Sequence, residues 1–231
     1  MTSLKPGSMT EDYVKVIWKA YEWSDAGITT NEIAAQLGVA ASSVSGNLAK
    51  LSREGYLDYA PYGPIRLSDK GRRVAIDLIR RHRIIETYLV ERHGYGWDEV
   101  HDEAEILEHA ISDRLLDLWD QELGSPSRDP HGDLIPRKDG TTQRPAGRRL
   151  GELAKEDGGV VIRVSDHDPA LLRYLDTLGI AVGTRVRIDE KRDYAGIASI
   201  TKSTPEGQAS GTVQMALVAA NAIWVTDTAG S

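Results

Sequence analysis

The chain has 231 residues, 40% of them hydrophobic, no cysteine, and a formal net charge of −7. That length allows one large domain or two to three small ones with real apolar cores. The lack of cysteine excludes a disulfide framework or a zinc–thiolate cluster and fits a reducing compartment. No apolar run reaches membrane-spanning length and no charged-then-apolar leader opens the chain, so a soluble, cytoplasmic protein is expected.

Charge is unevenly spread. Residues 1–83 carry 12 Lys/Arg against 9 Asp/Glu, residues 84–139 carry 5 against 15, and residues 140–231 carry 11 of each. A mildly basic first third before an acidic middle is compatible with a DNA-facing module joined to a cation-binding one.

Residues 1–8 read as a disordered lead-in. From Thr10, a plausible N-cap, an amphipathic helix is expected, with Glu11 and Asp12 in its first turn. Tyr13, Ile17 and Tyr21, flanked by Val14 and Trp18, have the spacing of its buried face. Asp12 can be an ordinary first-turn anion. Thr29 to Val39 reads as a short helix with a capping-box start and a glycine stop at Gly38. A second helix, Ala41 to Glu54, buries Val44, Leu48 and Leu51 and shows Ser42, Ser43, Ser45, Asn47 and Lys50 on its other side. This is a helix-turn-helix pattern, in which the second helix enters the major groove and small polar residues approach bases and phosphates closely.

An alternating segment from Gly55 to Tyr59, a turn at Pro61 to Pro64 and the resumption Ile65-Arg66-Leu67 suggest a two-stranded wing, with Arg66 able to reach a phosphate. Any small three-helix unit can imitate a helix-turn-helix, but the added wing in the right order makes that reading hard to sustain. Ser68 to Gly71 caps a long helix running to about Arg92, with Val74, Leu78, Ile85 and Leu89 on its buried side. His82 and Glu86 lie one turn apart on it, a spacing also common in plain surface pairs.

Next comes His101-Asp-Glu-Ala-Glu-Ile-Leu-Glu-His109. On a helix, His101, Glu105, Glu108 and His109 share an arc of about 80–100°. Two carboxylates and two imidazoles offer the oxygen and nitrogen donors that first-row divalent cations accept; the alternative is a solvated acidic face. Ser112 to Leu123 continues in helical period, and helices over 84–123 could form a dimerisation layer. Residues 124–144 read as an irregular connector, and Ala146 to Glu156 as one more helix. Beyond Gly158, strands at 160–164, 184–188, 197–200 and 222–225, broken by a helix from Pro169 to Leu178, suggest a small β-barrel. Asp166, His167 and Asp168 sit at its first strand-to-helix passage.

The winged helix, the long helix with Arg81-His82-Arg83, the run Val100 to His109, the Pro-rich connector and the terminal domain with Leu172-Arg173-Tyr174-Leu175 and Leu178-Gly179-Ile180 resemble the diphtheria toxin repressor family. The resemblance covers nearly the whole chain. It implies a metal-activated repressor, not an enzyme, with a mainly α N-terminal winged helix-turn-helix (1–73), a helical metal-binding and dimerisation domain with connector (74–144), and a small all-β SH3-like, FeoA-like barrel (145–231).

Carried over residue by residue, the primary metal site is Asp12, Glu105, Glu108 and His109. The iron-responsive branch has methionine and cysteine at the positions of Asp12 and Glu105, so carboxylates at both resemble the manganese-responsive branch. Hard oxygen donors agree with Mn²⁺, with Fe²⁺ as the alternative. A manganese branch with a paired site has glutamate where this chain has Lys15, whose ammonium would repel a second cation. The ancillary site maps to His82, Glu86, His101 and Asp168, and its fifth position falls on Leu171, which cannot coordinate. The implied partners are a palindromic operator in double-stranded DNA and a second copy of the chain. A metalloenzyme finds no support in a nucleophile, phosphate loop or His-Glu-x-x-His zinc motif. A winged-helix regulator sensing a non-metal signal is the other reading.

Overall fold

A computed structural model describes residues 7–23, 25–60, 63–143, 146–203 and 208–226. The expected lead-in over residues 1–6 and the Pro61–Tyr62 part of the wing turn lie outside the described residues. The chain forms two compact units: the first within residues 1–85, 105–127 and 134–145, the second within 86–104, 128–133 and 146–231.

The first unit opens with α1 (Ser8–Glu22), whose N-cap is Gly7 and makes no side-chain cap bond. Thr10, expected as the cap, instead sits inside the helix and is buried. Asp12 therefore lies past the first turn, with less of a dipole-compensating job to do. Helix α2 (Thr30–Leu37) begins with the expected capping box: Thr29 accepts from the Glu32 backbone, and the Glu32 side chain accepts from Thr29. Gly38 ends it at φ 64°, a left-handed conformation that glycine enters without a Cβ penalty. Helix α3 (Ala41–Arg53) follows. Strands β1 (Leu57–Asp58) and β2 (Arg66–Leu67) pair antiparallel as the wing, with Leu57 opposite Leu67.

Tyr13, Val14, Ile17, Ile33, Val44, Leu48 and Leu51 are all essentially buried in one cluster that also takes in Ile65, Ala75 and Ile79. At roughly 1.5–3 kcal/mol for each large side chain, this burial is what clamps α1, α2 and α3 together. Helix α4 (Asp69–His93) supplies the last of these. Its charged residues Arg80, Arg81 and Arg83 are buried as well. Each has partners, as buried charge requires: Arg80 donates to Asp120 and the Pro136 carbonyl, Arg81 to Asp77 and the Ile111 carbonyl, and Arg83 to both oxygens of Glu22 and the Leu134 carbonyl. Helices α5 (Val100–Ala110) and α6 (Asp113–Glu122), the latter capped by Ser112, fall where the periodicity places them.

The second unit is built on a six-stranded antiparallel sheet in the order β3-β8-β4-β5-β6-β7. Its strands are β3 (Arg148–Arg149), β4 (Gly158–Val164), β5 (Arg185–Arg192), β6 (Ile197–Ser203), β7 (Ala209–Ala216) and β8 (Ile223–Val225), with α7 (Pro169–Thr177) and the short α8 (Leu217–Ala220) between them. Register shifts in the β4–β8 and β5–β6 pairs bend the sheet around Leu172, Leu175, Ile188, Ile200 and Ile223. Among the described residues β3 and β7 do not pair, so this SH3-like domain is not closed by a ladder; β3 is only two residues long.

The helix expected from Ala146 to Glu156 is absent. Arg148 and Arg149 pair with Val225 and Trp224, and a 3₁₀ turn, Leu150–Glu152, carries Leu150 into the core. Two ladder partners and two buried leucines, Leu150 and Leu153, outcompete a helix that has little more apolar surface to bury.

Candidate metal centre

In the first unit, α1, α4 and α5 bring their polar residues to one cluster. Alternation along α1 explains this: Tyr13, Val14, Ile17 and Trp18 fill the core, which leaves Glu11, Asp12 and Lys15 to meet α5. His109 is the pivot. Its Nε2 lies 3.4 Å from Asp12 Oδ1 and 3.5 Å from Glu108 Oε1, while its Nδ1 is 2.7 Å from Glu11 Oε2. An ionised carboxylate only accepts, so Nδ1–H donates to Glu11, and Nε2 is the ring nitrogen that faces Asp12 and Glu108. Second carboxylates commonly orient a metal-binding imidazole in this way.

Glu108 is fully buried, and its Oε2 lies 2.6 Å from His82 Nδ1. Lys15, itself only 4% exposed, donates to Glu105 Oε1 at 2.6 Å and to the two oxygens of Glu108 at 2.7 and 2.8 Å, with His82 Nδ1 at 3.2 Å. Burial is the main effect on Asp12 and raises its pKa. His109 and Lys15 oppose that shift, while Glu105 and Glu108 add to it.

All four residues of the expected primary set therefore lie in this cluster. The oxygen and imidazole donors suit a divalent cation, and an ammonium already takes up positive charge among them. His82, placed with the ancillary set by resemblance, contacts Glu108 here. Glu11 and the ion-pairing role of Lys15 were not foreseen; the one-turn spacing of Glu11 and Lys15 was the available signal.

The second unit holds another donor cluster. Glu86, Asp129 and His131 are all buried, and each presents a ligand atom such that all three lie within 4.8 Å of one another. His101 Nδ1 lies 3.2 Å from Glu86 Oε1 and 3.9 Å from Asp166 Oδ2. His131 Nε2 is 2.6 Å from the Trp97 carbonyl, which can only accept, so Nε2 carries the hydrogen. Its Nδ1 is buried with no hydrogen-bond partner and lies 3.8 Å from Glu86 Oε2. Burial works to lower the His131 pKa, but Glu86, Asp129, Asp166 and the Trp97 carbonyl together hold it above the usual imidazole value. An unpartnered buried nitrogen among carboxylates is a position that a cation can satisfy.

Asp168 is placed elsewhere. It is exposed and caps α7, accepting from Ala170 N at 2.8 Å, as an aspartate before a proline-initiated helix readily does. Asp166, two residues earlier, is the buried acid of this cluster. Leu171 packs against the apolar core of the sheet.

The residues missed by sequence reading are Asp129 and His131, in the connector Asp129-Pro-His-Gly-Asp133. This stretch is locked in place. Asp129 Oδ1 accepts from the backbones of His131 and Asp133, Asp133 accepts from Arg163, and the His131 carbonyl accepts from Val164 N. Ligand-type residues concentrated in a proline- and glycine-bearing loop were the overlooked signal.

Of the residues expected to meet DNA, Ser42, Ser43, Ser45 and Lys50 of α3 and Arg66 of β2 are exposed. Lys50 lies 3.9 Å from Glu54, and the Arg66 guanidinium sits over the Tyr21 ring at 5.3 Å. Asn47 differs: its amide donates to the Tyr13 hydroxyl at 2.9 Å, tying the recognition helix to α1.

Three families match the sequence: the iron-dependent repressor N-terminal DNA-binding domain over residues 7–65, the iron-dependent repressor metal-binding and dimerisation domain over 68–137, and the FeoA domain over 148–226. The iron-dependent repressor IdeR of Mycobacterium tuberculosis is 31% identical over 194 residues, covering 78% of this chain and 83% of that protein. A solved manganese-dependent transcriptional repressor in complex with manganese superposes with a TM-score of 0.88 at 46% identity, covering 94% of this chain and 99% of the other. The manganese regulator SloR superposes at 0.78 with 30% identity, covering 97% and 100%.

Proposed function

The chain belongs to the diphtheria toxin repressor family of metal-dependent transcriptional regulators, and from that premise we propose that it is a manganese-activated repressor whose sensing centre is Asp12, Glu105, Glu108 and His109. One observation carries the reading: donors from α1 and α5 converge around buried positive charge, with His109 Nε2 within 3.4 and 3.5 Å of the Asp12 and Glu108 carboxylates. Oxygen donors stand where the iron-responsive pattern has sulfur, which favours Mn²⁺. Fe²⁺ is the competitor that a test must include, since IdeR is among the relatives.

Asp12 of α1 and the α5 residues Glu105, Glu108 and His109 would hold the ion, which would supply positive charge among them. Asp12 thereby fixes α1, and Tyr13, the next residue, holds Asn47 of the recognition helix. The exposed Ser42, Ser43, Ser45 and Lys50, with Arg66 from the wing, contact the operator. Ile106 on α5 and Leu115 and Leu118 on α6 are exposed apolar residues within the stretch matching the dimerisation domain. They form the face that pairs two copies, and a symmetric dimer reads a palindromic site. Glu86, Asp129, His131, Asp166 and His101 form the ancillary centre of the second unit. No described helix is long and apolar enough to cross a membrane, and the protein works in the cytoplasm, where its DNA is.

Coupling between two ligands is reciprocal. Isothermal titration with Mn²⁺ and then Fe²⁺, with and without a duplex selected from a random pool in the presence of Mn²⁺, tests the reading. Mn²⁺ should bind more tightly to the DNA complex; equal affinities would remove the regulatory link.

A further inference from the structure

The contacts of Lys15 go beyond charge neutralisation. His82, Glu105 and Glu108 each present a ligand atom within 4.8 Å of the others, a three-donor arrangement suited to a cation. Lys15 Nζ touches all three: Glu105 at 2.6 Å, Glu108 at 2.7 and 2.8 Å, and His82 at 3.2 Å. An ammonium has three hydrogens to donate, so this position is saturated. The side chain is 5% exposed and the Glu108 side chain fully buried, so water does not compete for the Lys15–Glu108 contacts, while Glu105 keeps one side in solvent.

A different face of the same cluster remains for an ion. Asp12 Oδ1 and Glu108 Oε1 lie 3.4 and 3.5 Å from His109 Nε2. Charge agrees in sign: the carboxylates of Glu11, Asp12, Glu105 and Glu108 outnumber the one ammonium of Lys15, so the cluster still favours an added cation.

We propose that Lys15 is a built-in counter-cation that occupies a second metal position, limiting this centre to one exchangeable divalent ion and holding α1 to α4 and α5 when that ion is absent. The proposal rests on reading the cluster as the metal-sensing site. Lys15 is a positioning and stoichiometry-setting residue: it contacts the ligands. A metal-free cluster of carboxylates would otherwise push α1 away from α5; with Lys15 in place the repelling groups share a cation that never dissociates.

The test is electron paramagnetic resonance of the full-length protein loaded with Mn²⁺ alone, for wild type, Lys15→Met and Lys15→Arg. Exchange coupling arises only between ions that share bridging carboxylates, so an ion in the second unit does not contribute. Wild type and Lys15→Arg should give the signal of an isolated ion. Lys15→Met, which vacates the three-donor position, should take up one additional ion and give an exchange-coupled pair. In the metal-free state the same variant should lose at least tenfold of the amide-exchange protection of α1, and Lys15→Arg should retain it.

An exchange-coupled pair in wild type would overturn the proposal while leaving the metal-sensing reading intact. So would a folded Lys15→Met protein with only an isolated ion. No cluster-bound Mn²⁺ in wild type, with binding unaltered by His109→Ala, would overturn both. The wild-type spectrum decides even if Lys15→Met fails to fold.

Discussion

Tyr13→Phe removes one oxygen from the connection between the sensing centre and the recognition helix. Tyr13 follows Asp12 on α1, is 2% exposed, and its hydroxyl accepts the Asn47 amide at 2.9 Å. The ring stays and continues to pack, so no cavity opens. Asn47 is half-buried, and water can replace part of what it loses. A neutral hydrogen bond of this kind contributes about 0.5–1.5 kcal/mol net. Since 1.4 kcal/mol is a factor of ten, the Mn²⁺-dependent gain in operator affinity should fall roughly two- to tenfold. Fluorescence anisotropy on a labelled duplex, with and without Mn²⁺, measures that gain. Mn²⁺ affinity without DNA should be unchanged, because the hydroxyl touches none of the ligands. An unaltered gain would refute the idea that α1 communicates with α3 through this contact.

Other perturbations separate the parts of the centre. Glu11→Gln removes the charged acceptor of His109 Nδ1–H, and Mn²⁺ affinity measured by titration should drop about 10- to 100-fold, as for other groups that orient metal-binding histidines. Gly132→Ala puts a Cβ 2.0 Å from the Ile162 carbonyl oxygen at a φ of +92°. Backbone strain of this kind costs on the order of 1–3 kcal/mol, and the melting temperature should fall by about 2–4 °C for each kcal/mol. Arg66→Ala should weaken binding to all duplexes alike and lower the slope of log affinity against log salt by about one, since Arg66 is exposed on the wing.

Much of this architecture is legible in the chain because local signals and packing agree. The Thr29/Glu32 box, the Gly38 stop and the Val44-Leu48-Leu51 stripe mark the two helices of the DNA-binding motif, and the structure has them where they are expected. The acidic helix Val100–Ala110 is legible from periodicity, and its match with Asp12 required the family resemblance, since 93 residues of chain separate Asp12 from Glu105. Three features resisted. Thr10 looks like a cap, but tertiary packing draws it inside the helix. Residues 148–149 become a strand because Trp224 and Val225 offer a ladder from the far end of the chain, which no local pattern contains. His131 lies in an irregular connector where neither helical nor strand period applies, and the Asp129 turn, the strand β4 contact and the Trp97 carbonyl fix its direction. Asp168 shows the reverse case: a residue with ligand chemistry whose carboxylate is engaged by a backbone amide next door.

The central claim is that Asp12, Glu105, Glu108 and His109 hold one ion in common. Anomalous diffraction at the manganese edge, from crystals grown with Mn²⁺, tests it most directly. A peak within coordination distance of Asp12, Glu108 and His109 is expected. Fully occupied Mn²⁺ elsewhere, with no anomalous density between α1 and α5, would contradict it.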